Sequence, residues 1–150
     1  MKHPVSGKGF SLVELMIAVT IVAVIVGLAL PSYSNYVRKA SRGEAQQLLL
    51  NWANNQEIWR AAHSSYSDGT VQADGTQLRA PTHAKYDFFV RATASNPPVV
   101  GDCANVAPAG NTYVLIACPK GDQLNDKSKG VSCNPLSLNQ SNGKAPVMCW

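Results

Sequence analysis

Four cysteines, three histidines and one carboxylate in apolar surroundings are the residues of this 150-residue chain best equipped for chemistry. Cys103, Cys118, Cys133 and Cys149 follow one another at spacings of 15, 15 and 16 residues. No C-x-x-C occurs and no histidine pair lies nearby, which argues against a zinc site. An even count reads as two disulfides made in an oxidising compartment. Three pairings are open; a sequential one would close two loops of about 15 residues, each worth about 3 kcal/mol in the chain-entropy model. His3, His63 and His83 are scattered, with no H-x-x-x-H and no adjacent paired carboxylate. There is no Walker sequence and no G-x-S-x-G, and no strand precedes Gly7-Lys8-Gly9. The reading is therefore of a chain with no catalytic residue, no metal and no cofactor.

The carboxylate is Glu14, in the apolar run Phe10 to Leu30, which is otherwise interrupted only by Ser11 and Thr20. A charge at mid-depth of a membrane costs roughly 2.5–3.5 kcal/mol on insertion scales. As a helix the run is about 31 Å long, enough to cross a hydrocarbon core. Lys2 and Lys8 precede it, which places the N-terminus in the cytoplasm by the positive-inside tendency. A conventional secretory signal cut near Gly27-Leu28-Ala29 is the competing reading. The run, however, exceeds the roughly 7–15 residues of such a signal and carries a charge. Its helical pattern also continues through Tyr33, Tyr36, Val37, Ala40, Ala45, Leu48, Trp52, Trp59 and Ala62. The spacing predicts one retained helix from Phe10 to Ala62, about 80 Å long. Bends are expected at Gly27 and Pro31, and also at Gly43.

The stretch Gly9-Phe10-Ser11-Leu12-Val13-Glu14, with its basic leader and Pro31 beyond, resembles the N-terminus of type IV prepilins. The resemblance implies cleavage between Gly9 and Phe10 by a prepilin peptidase, then N-methylation of Phe10. It implies three segments: a leader 1–9, an assembly helix 10–36 and a globular head 37–150. After cleavage, Glu14 would face the new amine of a neighbouring subunit, so that two isolated charges vanish together in one register of the bundle. Ala18, Ala23, Gly27 and Ala29 supply small surfaces for close helix packing.

Beyond Ala62 turn-rich sequence follows, and residues 67–84 read as a connecting loop. Strands are expected at Tyr86–Ala92, Thr112–Cys118 and Leu136–Gln140, forming an antiparallel sheet packed on the stripe carrying Leu48, Trp52 and Trp59. The segments Gln56–Arg60, Tyr113–Pro119 and Cys133 to Trp150 resemble the heads of PilE-like minor pilins. That resemblance implies a Cys133–Cys149 disulfide and leaves Cys103 and Cys118 to pair with each other. The expected class is thus α+β with the type IV pilin fold.

The chain has 13 basic and 9 acidic residues; without Lys2 and Lys8 the excess is too small to imply a nucleic-acid partner. Lys120, Lys127 and Lys129 could form a DNA-contacting loop, though Asp122 and Asp126 lie among them, and a flexible charged loop is the plainer expectation. Arg38, Lys39 and Arg42 are candidates to pair with a neighbouring subunit or with lipid headgroups, or else form a solvated basic face. The functional expectation is a non-enzymatic minor pilin. It would be held in the inner membrane, head in the periplasm, and then assembled into the extracellular filament. Its partners would be other pilin subunits, the prepilin peptidase and the inner-membrane assembly machinery. The alternatives are a major pilin and a DNA-binding minor pilin of a DNA-uptake pilus.

Overall fold

Little between Leu12 and Ala62 opposes a helix: strong helix formers dominate, and Pro31, the sole proline, removes a single donor. The computed structural model describes residues 9, 11–70, 75–92, 97–106 and 112–150. It has one helix, α1, over Leu12–Ala62, with Gly27 and Pro31 inside it. The chain divides into two compact units, Met1–Val37 and Arg38–Trp150.

In the first unit every residue from Ser11 to Leu28 is exposed. The most apolar stretch of α1 has a mean hydropathy of 2.7 and none of it is buried. By length and composition it can cross a membrane. The Thr20 hydroxyl donates to the Met16 carbonyl at 2.7 Å, so this polar group needs no water.

In the second unit α1 buries Ala45, Leu49, Trp52 and Gln56, separated by four, three and four residues as one helix face requires. The expected stripe was displaced. Leu48 is only half-buried, and Trp59 lies outside the core, stacked on His63 with ring centroids 3.8 Å apart. The core face continues instead to Gln56, whose amide donates to the Ser67 carbonyl at 2.9 Å and accepts from the Ser67 N–H at 3.0 Å. A buried carboxamide with both ends satisfied can replace an apolar side chain there.

The sheet comprises β1 (Tyr86–Arg91), β2 (Val114–Pro119), β5 (Leu136–Asn139) and β6 (Lys144–Ala145), all antiparallel in the order β1-β2-β5-β6. Between β2 and β5 the chain forms a 3-10 turn, Gly121–Asn125, and a hairpin of β3 (Lys127–Ser128) and β4 (Val131–Ser132). Three strands were expected, with 119–130 as a loop; β6 and the hairpin are two-residue strands, too short for an alternation to register. Register aligns Val90, Leu115 and Leu138 in one row and Phe88, Ala117 and Leu136 in the next. Both rows join the helix stripe in one core, with Trp52 edge-on to Phe88. On the opposite face of β2, Ile116 and Cys118 are buried too. Cys118 is joined there to Cys103, and Cys133 to Cys149, with Cα separations of 5.9 and 5.6 Å.

Two ion pairs tie α1 to the segment after β2. Arg38 grips Asp122 in bidentate fashion at 2.7 and 2.9 Å. One turn on, Arg42 donates to Asp126 at 3.0 and 3.1 Å and lies 3.1 Å from Cys133 Sγ. Gln123, between them, donates to the Arg38 carbonyl, the Tyr86 hydroxyl and Asp126. The expectation that both arginines serve a neighbour or lipid is therefore corrected: each is engaged within its own chain. Arg42 and Asp126 are both under one-tenth exposed. Because loss of one partner strands a buried charge, Arg42→Met alone should destabilise the chain by about 3–5 kcal/mol. Arg42→Met with Asp126→Leu should recover most of that, as read by denaturant unfolding of the solubilised chain.

Candidate functional site

Two features of this chain are poised to meet something outside it. The first is the start of α1. Glu14 lies in the first turn, where the helix dipole favours a carboxylate, and it is exposed among exposed apolar side chains. Ser11 and Glu14 also have the spacing of a capping box, a purely local role for the carboxylate that the S-x-x-E pattern alone could signal. Among the described residues, however, no side-chain bond joins them; only the Leu15 N–H reaches the Ser11 carbonyl, at 3.2 Å. Gly9 is exposed, and a Cβ built on it meets nothing within 4 Å. Any requirement for glycine at that position must come from outside the described chain. Phe10 lies outside the described residues.

The second feature is a groove of about 400 Å³ on the flank of α1. Lys39, Arg42 and Gln46 form its helix side, Lys129 its hairpin side, and Val147 and Met148 its C-terminal side. The hairpin turn is Lys129-Gly130, with φ of 48° and 82°. Two consecutive positive φ values make the tight turn that matches strand twist, and they aim a lysine outward where glycine or asparagine is usual. Of the three lysines suspected from sequence, Lys127 and Lys129 are exposed on the hairpin with no ion pair among the described residues. Lys120 instead pairs with Asp87 at 2.6 Å. Asp122 and Asp126, the acidic residues among these lysines, are taken by Arg38 and Arg42. The matched i, i+4 spacings of those arginines and aspartates were the available signal.

Farther along α1, the exposed Glu57 carboxylate accepts from the hydroxyls of Tyr66 and Tyr113 at 3.2–3.3 Å. Burial first, and then the Glu57 charge, pushes both phenols above their ordinary pKa. His83, expected to stand alone, has Nε2 at 2.9 Å from Glu44 and Nδ1 accepting from the Lys85 N–H. No group of three or more potential metal ligands occurs among the described residues.

Residues 6–30 match the family described as the prokaryotic N-terminal methylation motif. Residues 31–137 match the family described as "Type IV minor pilin ComP, DNA uptake sequence receptor". The chain belongs to that family of type IV pilins. It is a structural subunit and not an enzyme. Among relatives, fimbrial protein EcpC of Eikenella corrodens is 37% identical over 132 residues, covering 85% of this chain and 82% of that one. Type IV major fimbrial protein FimA of Dichelobacter nodosus is 39% identical over 135 residues, covering 89% and 80%. The pilin spans about half the length of several other relatives that it matches. A solved type IV pilin from Shewanella oneidensis aligns at 21% identity and TM-score 0.48, over 75% of this chain and 97% of that one.

The buried tyrosines of the pilin give a pH dependence. Burial pushes Tyr86 up to about 12, partly offset by the amide of Gln123, and Tyr113 is raised as well. In the unfolded chain both ionise near 10. Their contribution is therefore complete below about pH 10 and is lost as pH rises towards the folded values. Thermal unfolding followed between pH 8 and 12 should show a midpoint that is flat at first and then falls; a midpoint that holds level to pH 12 would contradict the assignment.

Proposed function

We propose that this chain is a minor pilin that is stored in the inner membrane and polymerised through α1. The observation that carries the reading is the one charge on the otherwise uncharged surface from Ser11 to Leu28. The Thr20 hydroxyl is satisfied by its own helix, whereas Glu14 has no partner among the described residues. A prepilin peptidase cuts between Gly9 and Phe10, and Phe10 is then N-methylated. Glu14 neutralises the resulting amine on a neighbouring subunit, which selects one register of the helix bundle. Before assembly the N-terminus faces the cytoplasm and the head the periplasm; afterwards the head is displayed on the extracellular filament. The inner-membrane assembly machinery and the other pilin subunits are the partners.

A second reading is favoured by the description of the matched family as a DNA uptake sequence receptor. In it the head contacts DNA phosphates through Lys127 and Lys129, whose charges no described residue offsets. A filament-building major pilin, as FimA is named, is the competing reading, and the share of this chain in sheared filaments separates the two.

Glu14→Ala should leave the protein processed and membrane-held while removing it from filaments; normal incorporation of that variant would count against the register argument. Gly9→Val should keep the leader on, visible as the extra mass of residues 1–9 in the intact protein. For the DNA reading, retardation of duplex DNA should weaken as salt rises. Lys127→Gln and Lys129→Gln should each lower the salt slope by about 1, and Lys120→Gln should matter least. A head that shows no salt-dependent retardation sinks that reading.

A further inference from the structure

Resting on the reading of the chain as a polymerising pilin, we infer that the groove beside Lys39 is a docking site for Glu57 of a second copy of this chain. Lys39 and Glu57 are 18 residues apart, five full turns, so they lie on one line of α1 about 27 Å apart along its axis. Both belong to the same compact unit. At the Lys39 end the groove has Lys39 and Lys129 exposed, Arg42 committed to Asp126, and no acidic side chain in its lining. Val147 and Met148 stand at its rim, 75% and 51% exposed. At the other end Glu57 is exposed, and the two phenols that donate to it fix its position. Ile58 beside it is 71% exposed. A cationic groove with an apolar rim and an oriented carboxylate with an apolar neighbour are complementary in both charge and polarity.

The other described carboxylates of the head do not serve. Asp87 and Asp122 are in ion pairs, Asp102 and Asp126 are buried, Glu44 contacts His83, and Asp68 accepts from its own turn. Because the two patches differ and lie at opposite ends of one line, the contact is heterologous. Repeated with its axial offset, such a contact builds an open filament wherever its rotation does not close a ring, as a pilus requires.

The test uses two differently tagged full-length copies, co-expressed and co-purified from solubilised membranes. Lys39→Glu alone sets carboxylate against carboxylate, and Glu57→Lys alone sets cation against cation. Each variant should lose about tenfold or more of its self-association, as desolvated like charges imply. Lys39→Glu mixed with Glu57→Lys restores an opposite-charge pair in both directions, so that mixture should associate as wild type does. Glu57→Gln, which keeps the acceptor for the tyrosines, should weaken association while leaving unfolding unchanged, which separates docking from folding. Self-association of either charge reversal at the wild-type level, a mixture no better than the single variants, or no association of wild type would each overturn the inference. So would a Lys39→Glu chain that loses only DNA retention, since the groove would then serve phosphate. Recovery of wild type and of Glu14→Ala in filaments reads the polymerisation proposal separately: a wild type that enters filaments but fails the tagged test rejects this contact alone.

Discussion

A guanidinium and a carboxylate removed from water, Arg42 and Asp126, are the pair on which the rest of the head depends. Neither can be buried alone, so the helix and the segment 84 residues later must meet at that point. Gln123 then closes its bonds to the helix carbonyl and to Tyr86, and the hairpin that follows is held beside α1. Arg42 also touches Cys133, from which the second disulfide runs to Cys149. One wall of the cationic groove and its C-terminal rim are thus by-products of satisfying one internal charge. The cost is visible as well: Gln123 Oε1 and Trp52 Nε1 are buried without a hydrogen-bond partner among the described residues.

The first unit obeys the opposite logic. From Leu12 to Leu28 the apolar side chains find no cover among the described residues, a surface suited to lipid or to the flanks of other helices. In either setting there is little hydrophobic gain between helices, and close packing and polar contacts decide which neighbours are chosen. On the proposed reading Glu14 is then a means of discrimination, because misaligned neighbours would leave its carboxylate stranded.

Much of this was legible in the sequence where the physics is local. Periodicity of three and four revealed α1 to within two residues at its start, and alternating or branched runs revealed β1, β2 and β5. The residues Gly9 to Glu14 carried the family. What escaped was set by long-range pairing. Nothing local marks Gln56 as a core residue, because its partner is the backbone of Ser67. Arg38 and Arg42 look like a solvated basic face until Asp122 and Asp126 are brought to them. Trp59 looked like core by spacing, but the core ends one turn earlier and the ring stacks on His63 instead. The strands β3, β4 and β6 were too short to show a period at all.

The turn at Lys129 sets folding and function at odds. An L-residue at φ 48° is strained where a glycine or asparagine would sit at ease. The most favourable residues for the bend would therefore also remove its cation. A variant selected only for a tougher head would drift towards a neutral turn, so selection for robustness alone would erode whatever this face is kept charged to meet.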